Sequence, residues 1–330
     1  MNIAVIGGGF YGCYIANKLS SKHKIDIYEM AAKPCLGSIV NNQNRLHLGY
    51  HYPRCSKTIQ QTINTYNQFL SEFNDCVSFV ESNIYAVHEN SKVPYSDYKK
   101  VFDSFGLSHT EVKSNDATWG NIVNKKQFSG ALRTQEGVLD CAKLVGQLLS
   151  SVYSQKNIQI FCNQKVMPSR MEQLKNNYDY VINCTYNDPF VGMQKTIETK
   201  DESCLIAVLK DKRYADFGFT IMDGPFCSLY PVKGDIYSLS SVVYTPFDAK
   251  DKSYCVKSSL QRIIDHGKEY FKLNDSTLID FYYGKKTKIK NDIHDERYSF
   301  VTQQENIISV FSGKISSIIE SYNEVLNAIK

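Results

Sequence analysis

The sequence predicts a mixed α/β and α+β protein. A parallel-sheet unit is assembled from separated parts of the chain, and an antiparallel sheet is inserted between them. Three observations carry this. Residues 2–29 run in the order strand, glycine turn, helix, strand, acid. Residues 204–243 are a succession of short apolar strands broken by turn signals. After about residue 305 the chain returns to a strand, a Ser-Gly-Lys turn and an apolar-striped helix. At 330 residues it can bury a large core, in two lobes.

The first unit is the most explicit. Asn2 to Ile6 reads as a strand that runs into Gly7-Gly8-Gly9-Phe10-Tyr11-Gly12. A helix is expected over 13–21, with Ile15, Ala16 and Leu19 on one face, and a second strand over 24–28 ends at Glu29. This is the order of a dinucleotide-binding βαβ unit. Gly7 permits the tight turn, Gly9 lets the backbone approach a pyrophosphate, and Gly12 lets the helix pack close to the sheet. Free N–H groups at the helix start, with the helix dipole, suit phosphate. Glu29 can accept two hydrogen bonds from a ribose diol and would repel a 2′-phosphate, which disfavours NADP.

Residues 35–53 have no helical period. The stretch is polar, contains glycine, and reads as an extended loop laid along a ligand. Its Ser38-x-x-Asn41 and His47-x-Gly49-x-x-Tyr52 patterns resemble the matching loop of L-2-hydroxyglutarate oxidases and glycerol-3-phosphate dehydrogenases. These are FAD-dependent oxidoreductases of the D-amino-acid oxidase superfamily. The resemblance implies a Rossmann-like FAD-binding domain with an inserted antiparallel-sheet substrate domain. It also implies that this loop passes the pyrophosphate and then the isoalloxazine ring. Ser38, Asn44, Arg45 and Leu46 then join Gly7, Gly9, Phe10, Tyr11, Gly12 and Glu29 as cofactor contacts.

The remaining elements follow in order. An amphipathic helix is expected over 57–75, a strand over 84–87 and a short helix over 95–105. Trp119, the sole tryptophan, reads as a buried ring. A helix follows Asp140, then strands over 158–161 and 178–185. The resemblance implies a backbone contact to adenine near Val166 and a turn beside the cofactor at Thr185. The superfamily usually has glycine next, and this chain has Tyr186. Strands are expected over 204–209, 217–221, 227–230 and 236–243, forming a meander, then a helix over 256–271 and strands over 278–283 and 306–311. Ser312-Gly313-Lys314 is expected to open the last helix. The resemblance implies that this helix, with Gly313, Lys314 and Ile315, faces the flavin N1 and C2 carbonyl, where positive charge stabilises the reduced ring. The resulting division is 1–76, 138–195 and 299–330 for the FAD-binding domain, with 77–137 and 196–298 for the substrate domain.

Composition narrows the function. The net charge of +4 does not argue for nucleic acid. The basic run 285–290 reads as a solvated loop or strand edge. Ten cysteines without a CxxC pair, and a first strand at the N-terminus in place of a signal peptide, read as reduced thiols in a cytoplasmic protein. No apolar run approaches the roughly 20 residues of a membrane span. His294 with Asp292, Asp295 and Glu296 reads as a solvated loop, so no metal is expected. The oligomeric state is left open.

For chemistry, the flavin accepts hydride while the protein positions substrate and proton. His47 is the first candidate base for an alcohol, His51 the second, and Lys314 a catalytic charge. An amine substrate would need no base. Arg45 and Arg54 are candidates to clamp a carboxylate or phosphate, although Arg45 could equally hold the pyrophosphate. Tyr50, Tyr230 and Tyr244 are candidate cavity residues. The substrate is expected to be a small polar molecule with a CH–OH or CH–NH group. Two other classes stay open. UDP-galactopyranose mutase also uses a Gly-x-Gly-Phe-x-Gly turn, with reduced FAD as a nucleophile. Tyr186 in place of glycine also allows a protein that binds FAD but has lost catalysis.

Overall fold

A computed structural model describes residues 1–113, 116, 122–124, 127–186, 198–248, 251, 253–290, 292, 294 and 296–329. Trp119 and Asp295 lie outside the described residues.

The N-terminal alternation of apolar residues builds the first sheet. Strand β1 (Asn2–Ile6) pairs in parallel with β2 (Lys24–Tyr28) on one side and with β10 (Tyr180–Asn183) on the other. With β9 (Ile158–Phe161), β18 (Ile307–Phe311) and the antiparallel edge β17 (Phe300–Gln304), they form a six-stranded sheet in the order β17-β18-β10-β1-β2-β9. Period-two alternation splits β1 between two cores. Ile3 and Val5 pack under helices α1 (Phe10–Leu19), α4 (Cys141–Ser154) and α7 (Ile318–Ala328). Ala4 and Ile6 pack under α5 (Pro168–Asn177), against Met171 and Leu174. Pro168 at the first position of α5 was the readable start signal for a helix the sequence reading did not name.

The second sheet contains β5 (Ser82–His88), β6 (Thr110–Glu111), β7 (Phe128–Thr134), β11 (Thr199–Lys210), β12 (Phe217–Met222), β13 (Cys227–Lys233), β14 (Ile236–Ser241), β15 (Pro246–Phe247) and β16 (Thr277–Ile289). Strands β11, β14, β13 and β12 form the expected antiparallel run, but β12 then pairs in parallel with β5. The sheet is therefore mixed at that point. One face is apolar: Leu205, Ala207, Phe217, Phe219, Ile221, Leu229 and Leu239 pack with Leu260 and Ile263 of α6 (Val256–Lys268). The alternate residues Thr220, Ser228, Tyr230 and Ser238 point to the other face. The basic run closes β16 and lies against the acidic start of β11, with Lys285–Asp201 and Lys288–Glu202 both at 2.6 Å, and Lys290–Glu198 at 3.0 Å just beyond the two strand ends.

A small sheet links loop and lobe. β3 (Arg45–Leu46) pairs with β8 (Gly137–Leu139), which pairs with β4 (Val77–Phe79). This pins the 35–53 loop next to residue 136. Helix α2 (Ser56–Phe73) follows it, and α3 (Tyr95–Ser104) covers Tyr50.

Two expectations need correction. The final helix begins at Ile318, so Gly313, Lys314 and Ile315 precede it. The Gly313 N–H is instead given to Ser299 Oγ at 2.7 Å, and two tight turns, Ile318 N to Ile315 O and Ile319 N to Ser316 O, lead into the helix. The expected strand over 236–243 ends at Ser241, because Val242, Val243 and Tyr244 form a turn closed by the Ser241 hydroxyl.

Candidate active site

The glycine turn is built as a phosphate cradle. Gly7 sits at φ +96°, and a Cβ there would stand 2.6 Å from Cys184 O. A Cβ on Gly12 would come within 1.9 Å of Gly7 O, so only glycine lets α1 approach the turn this closely. At Gly9, by contrast, nothing lies within 4 Å of a Cβ position, which leaves backbone facing open space. Gly9 caps α1 with no side chain, so the first-turn N–H groups of α1 carry no side-chain cap. Glu29 stands beside this turn. Its Oε2 accepts the Gly8 N–H at 2.7 Å and its Oε1 accepts the Ala31 N–H at 2.8 Å. Both oxygens keep a further lone pair for a ribose hydroxyl.

Tyr11 ties this turn to the C-terminal loop. Its hydroxyl donates to Lys314 O and lies 3.1 Å from Ser299 Oγ. Phe10 packs into the core with Phe73. Thr185 uses both its N–H and its hydroxyl on Asn183 Oδ1, at 3.1 and 2.7 Å. Tyr186 then takes φ +59°, the left-handed conformation that glycine adopts most readily. This explains the expected glycine there, and the tyrosine carries the strain. Val166 is buried under α5, with Tyr28.

A second cluster lies where the 35–53 loop meets the polar face of the mixed sheet. The His47 and His51 rings are 5.3 Å apart, and both contact Tyr52. Lys314 Nζ lies 4.1 Å over the Tyr52 ring. Arg45 is 7% exposed, with its guanidinium 4.1 Å over the Tyr230 ring and Nη1 donating to Thr220 Oγ1 at 2.6 Å. Its Nε and Nη2 are buried and meet no acceptor among the described residues, and the Nδ1 atoms of His47 and His51 are likewise buried and unpartnered. Such donors and acceptors fit a polar ligand.

Electrostatics keep these bases neutral. Burial, then Lys314, Arg45 and His51, hold His47 well below the usual imidazole range. Burial, then Arg45 and Lys314, do the same to His51. Lys314 is half-buried by accessible surface yet crowded by protein, and burial with Arg45 nearby brings its amine down to about 7. Glu136 faces the cluster, with Oε2 3.8 Å from His47 Nδ1. Burial and the two cations outweigh this carboxylate at His47.

The other named residues sit elsewhere. The Ser38 hydroxyl donates to Lys285 O at 3.0 Å. Asn44, at φ +57°, accepts the Cys141 thiol on Oδ1, and Leu46 is fully buried in the core. Ile315 packs at the edge of that core. Tyr50 is fully buried, and its hydroxyl donates to Ser108 O. Arg54 is paired with Asp223, Nε to Oδ2 at 2.6 Å. Tyr244 packs on His266 of α6, on the opposite side of the sheet from Arg45. Sequence reasoning missed Glu136 and Thr220. Glu136 passed as part of a helix approach, and Thr220 as one of many strand residues. The only signal for Thr220 was a polar residue within an apolar strand, and Glu136, at the end of the polar run Arg133-Thr134-Gln135, had none.

A glycine-turn α/β unit joined to a sheet-walled polar cluster defines a dinucleotide-binding enzyme of the flavoprotein kind. Residues 2–286 match the FAD dependent oxidoreductase family (DAO), and the chain belongs to it. Its cofactor is FAD, and it is an oxidoreductase, which sets aside the mutase class. Curated relatives include the FAD-dependent monooxygenase FPY4 of Fusarium mangiferae, 25% identical over 99% of this chain and 91% of that protein. Another is the FAD-dependent monooxygenase kojA of Aspergillus flavus, 23% identical over 100% of this chain and 86% of that protein. Among solved structures, an L-alpha-glycerophosphate oxidase from Mycoplasma pneumoniae superposes with TM-score 0.76 at 13% identity, covering 99% of this chain and 94% of that one. A glycine oxidase from Geobacillus kaustophilus gives 0.75 at 11% identity, over 98% and 92%. At these identities the solved structures speak for the fold.

Proposed function

We propose that this enzyme takes a hydride from a CH–OH or CH–NH group of a small polar substrate, such as a hydroxy acid, an amino acid or a sugar derivative. The observation that carries this reading is the pair of half-buried, neutral imidazoles of His47 and His51, each with a buried Nδ1, set beside Lys314 and the two free donors of Arg45. Bound FAD supplies the two-electron acceptor. The chain supplies the rest. Arg45 orients the substrate's polar groups, and Tyr230 and Tyr52 wall the cavity. His47 is positioned to take the hydroxyl proton of an alcohol, with His51 as its neighbour. Below about pH 7 Lys314 places positive charge at the same site.

For the cofactor, the cradle of Gly7, Gly9, Phe10, Tyr11 and Gly12 would hold the pyrophosphate, and Glu29 the ribose. Ser38, Asn44, Arg45, Leu46, Val166, Thr185, Gly313, Lys314 and Ile315 are the further contacts proposed. Segments 1–76, 138–195 and 299–330, which supply the strands of the six-stranded sheet, are proposed as the FAD-binding domain. Segments 77–137 and 196–298 are proposed as the substrate domain. All ten cysteines are free thiols, which supports a reducing, cytoplasmic location. Among the described residues no helix is long and apolar enough to cross a membrane.

Substrates deuterated at the reacting carbon test the reading. A slowed turnover with a carbonyl or imine product supports it; unchanged rates across all substrate classes contradict it. The curated relatives favour a second reading, in which an oxygen atom is inserted into the substrate. Product formed under ¹⁸O₂ separates the two, since only insertion leaves the label in the organic product.

A further inference from the structure

Glu136 has no surface exposure, and among the described residues it makes no ion pair with a lysine or arginine. Its Oε1 accepts the Leu48 N–H at 2.7 Å, and its Oε2 accepts the Tyr85 hydroxyl at 2.6 Å. Burial pushes the Glu136 carboxyl up, while the Tyr85 hydroxyl, Arg45 and the Leu48 and Gly49 N–H groups act to hold it down; both oxygens are met by donors, the arrangement that suits the ionised form. The same Oε2 faces His47 Nδ1 at 3.8 Å, an ion-pair distance rather than a hydrogen bond. That Nδ1 is buried and finds no hydrogen-bond partner among the described residues.

The placement comes from the chain itself. β3 and β8 pair Leu46 with Gly137, so the residue after β3 and the residue before β8 are brought together. These are His47 and Glu136. The Leu48 N–H then locks the carboxylate from the histidine's own loop. Gly137 is required there, since a Cβ would stand 2.6 Å from Val77.

We propose that Glu136 is the positioning residue for His47. It holds the imidazole with Nδ1–H toward the carboxylate, leaving Nε2 free to accept the substrate proton. This rests on the reading of His47 as the proton acceptor. When the substrate O–H bond breaks, its proton forms Nε2–H and its electron pair stays on oxygen to make the carbonyl, while the C–H hydrogen leaves with its own electron pair as hydride. His47 thereby becomes an imidazolium. The groups that face it are Lys314, Arg45 and the His51 imidazole, all of which disfavour that cation, and Glu136, whose carboxylate 3.8 Å away favours it. The groups that face Glu136 are Arg45 and the phenols of Tyr50, Tyr66, Tyr85, Tyr98 and Tyr230. Burial first, and Glu136 itself, hold those phenols above their ordinary range, so they add no negative charge. A neutral base before the reaction and a stabilised cation during it is what a general base needs.

The test uses FAD-loaded wild type, Glu136→Gln and His47→Ala, with ¹⁵N-histidine NMR beside pH–rate profiles. In Glu136→Gln the proposal expects unchanged flavin content and a kcat lower by up to about 10⁴-fold, the loss that follows when the carboxylate orienting a catalytic histidine is made an amide. It also expects the Nδ1–H tautomer of His47 to be lost, and the acid limb of kcat/KM to move down by about 1–3 pH units as imidazolium loses its counter-charge. A merely structural role would not move that limb. A wild-type rate and an unchanged His47 titration in Glu136→Gln would overturn the proposal, even with His47→Ala inactive. An active His47→Ala would instead sink the reading of His47 as base, and the NMR tautomer would still decide whether Glu136 orients the ring. Should Glu136→Gln not fold, Glu136→Asp keeps the charge but draws it back. A weaker Nδ1–H signal and a slower turnover are then expected, and no change in either overturns the assignment.

Discussion

Replacing Lys314 with methionine should stabilise the flavin-free chain at low pH and do so less as pH rises. The lysine amine has an ordinary value of 10.5 and is brought down to about 7 in the folded protein, first by burial and then by Arg45. Between those two values the unfolded chain binds the proton that the folded chain refuses, so folding stability climbs with pH across that window. Below about pH 7 the whole cost is present, about 5 kcal/mol at 1.36 kcal/mol per pH unit. At pH 9 about 2 kcal/mol remains, because the unfolded amine is still largely protonated. The Tyr52 face under Nζ returns about 1 kcal/mol to the charged form. Methionine has similar reach and no charge, and it packs well on an aromatic ring. Urea melts of both proteins at pH 6 and pH 9 should show a gain of about 4 kcal/mol at pH 6 and about half that at pH 9. A Lys314→Met protein that is less stable at pH 6, or a gain equal at both values, would refute the buried-amine argument.

Other substitutions probe other parts. Glu29→Ala removes the acceptor for the Gly8 and Ala31 N–H groups beside the cradle, and the protein should lose FAD on gel filtration. Retention equal to wild type would remove Glu29 from the ribose site. Gly12→Ala forces a Cβ to 1.9 Å from Gly7 O, so the melting temperature should fall steeply, with about 3 kcal/mol or more lost. Arg54→Ala strands Asp223, which lies 2.6 Å from Nε in a half-buried pair, and should cost about 1–3 kcal/mol while flavin content stays constant. Urea denaturation and the ratio of flavin to protein absorbance check both quantities.

What could be read from the sequence follows the range of the interactions. The N-terminal unit was legible because its signals are local: a period-two strand, glycines at fixed offsets, and an acid at a strand end. The meander was legible from its turn residues. The parallel β5–β12 pairing was not, because it joins residues 82–87 to 217–222 and no local pattern marks such a contact. The start of the last helix was misplaced because Gly313 answers to Ser299, a neighbour only in the folded chain. The site divides in the same way. His47, His51 and Arg45 share one loop and were named together. Glu136 and Thr220 come to them across strand pairings. Arg54 and Tyr244 were reasonable choices by residue type, but their surroundings, Asp223 and His266, depend on the tertiary fold.

The measurement that bears most directly on the account is anaerobic reduction of the FAD-loaded enzyme by a panel of hydroxy acids, amino acids and sugar derivatives, followed at the flavin absorption near about 450 nm. The account predicts that one class bleaches the flavin without oxygen, yielding one carbonyl or imine per flavin reduced. If the class is an alcohol, His47→Ala should slow that bleaching by orders of magnitude. A flavin that no member of these classes reduces, but that a nicotinamide nucleotide reduces readily, would contradict hydride removal from substrate and leave oxygen insertion as the chemistry of this site.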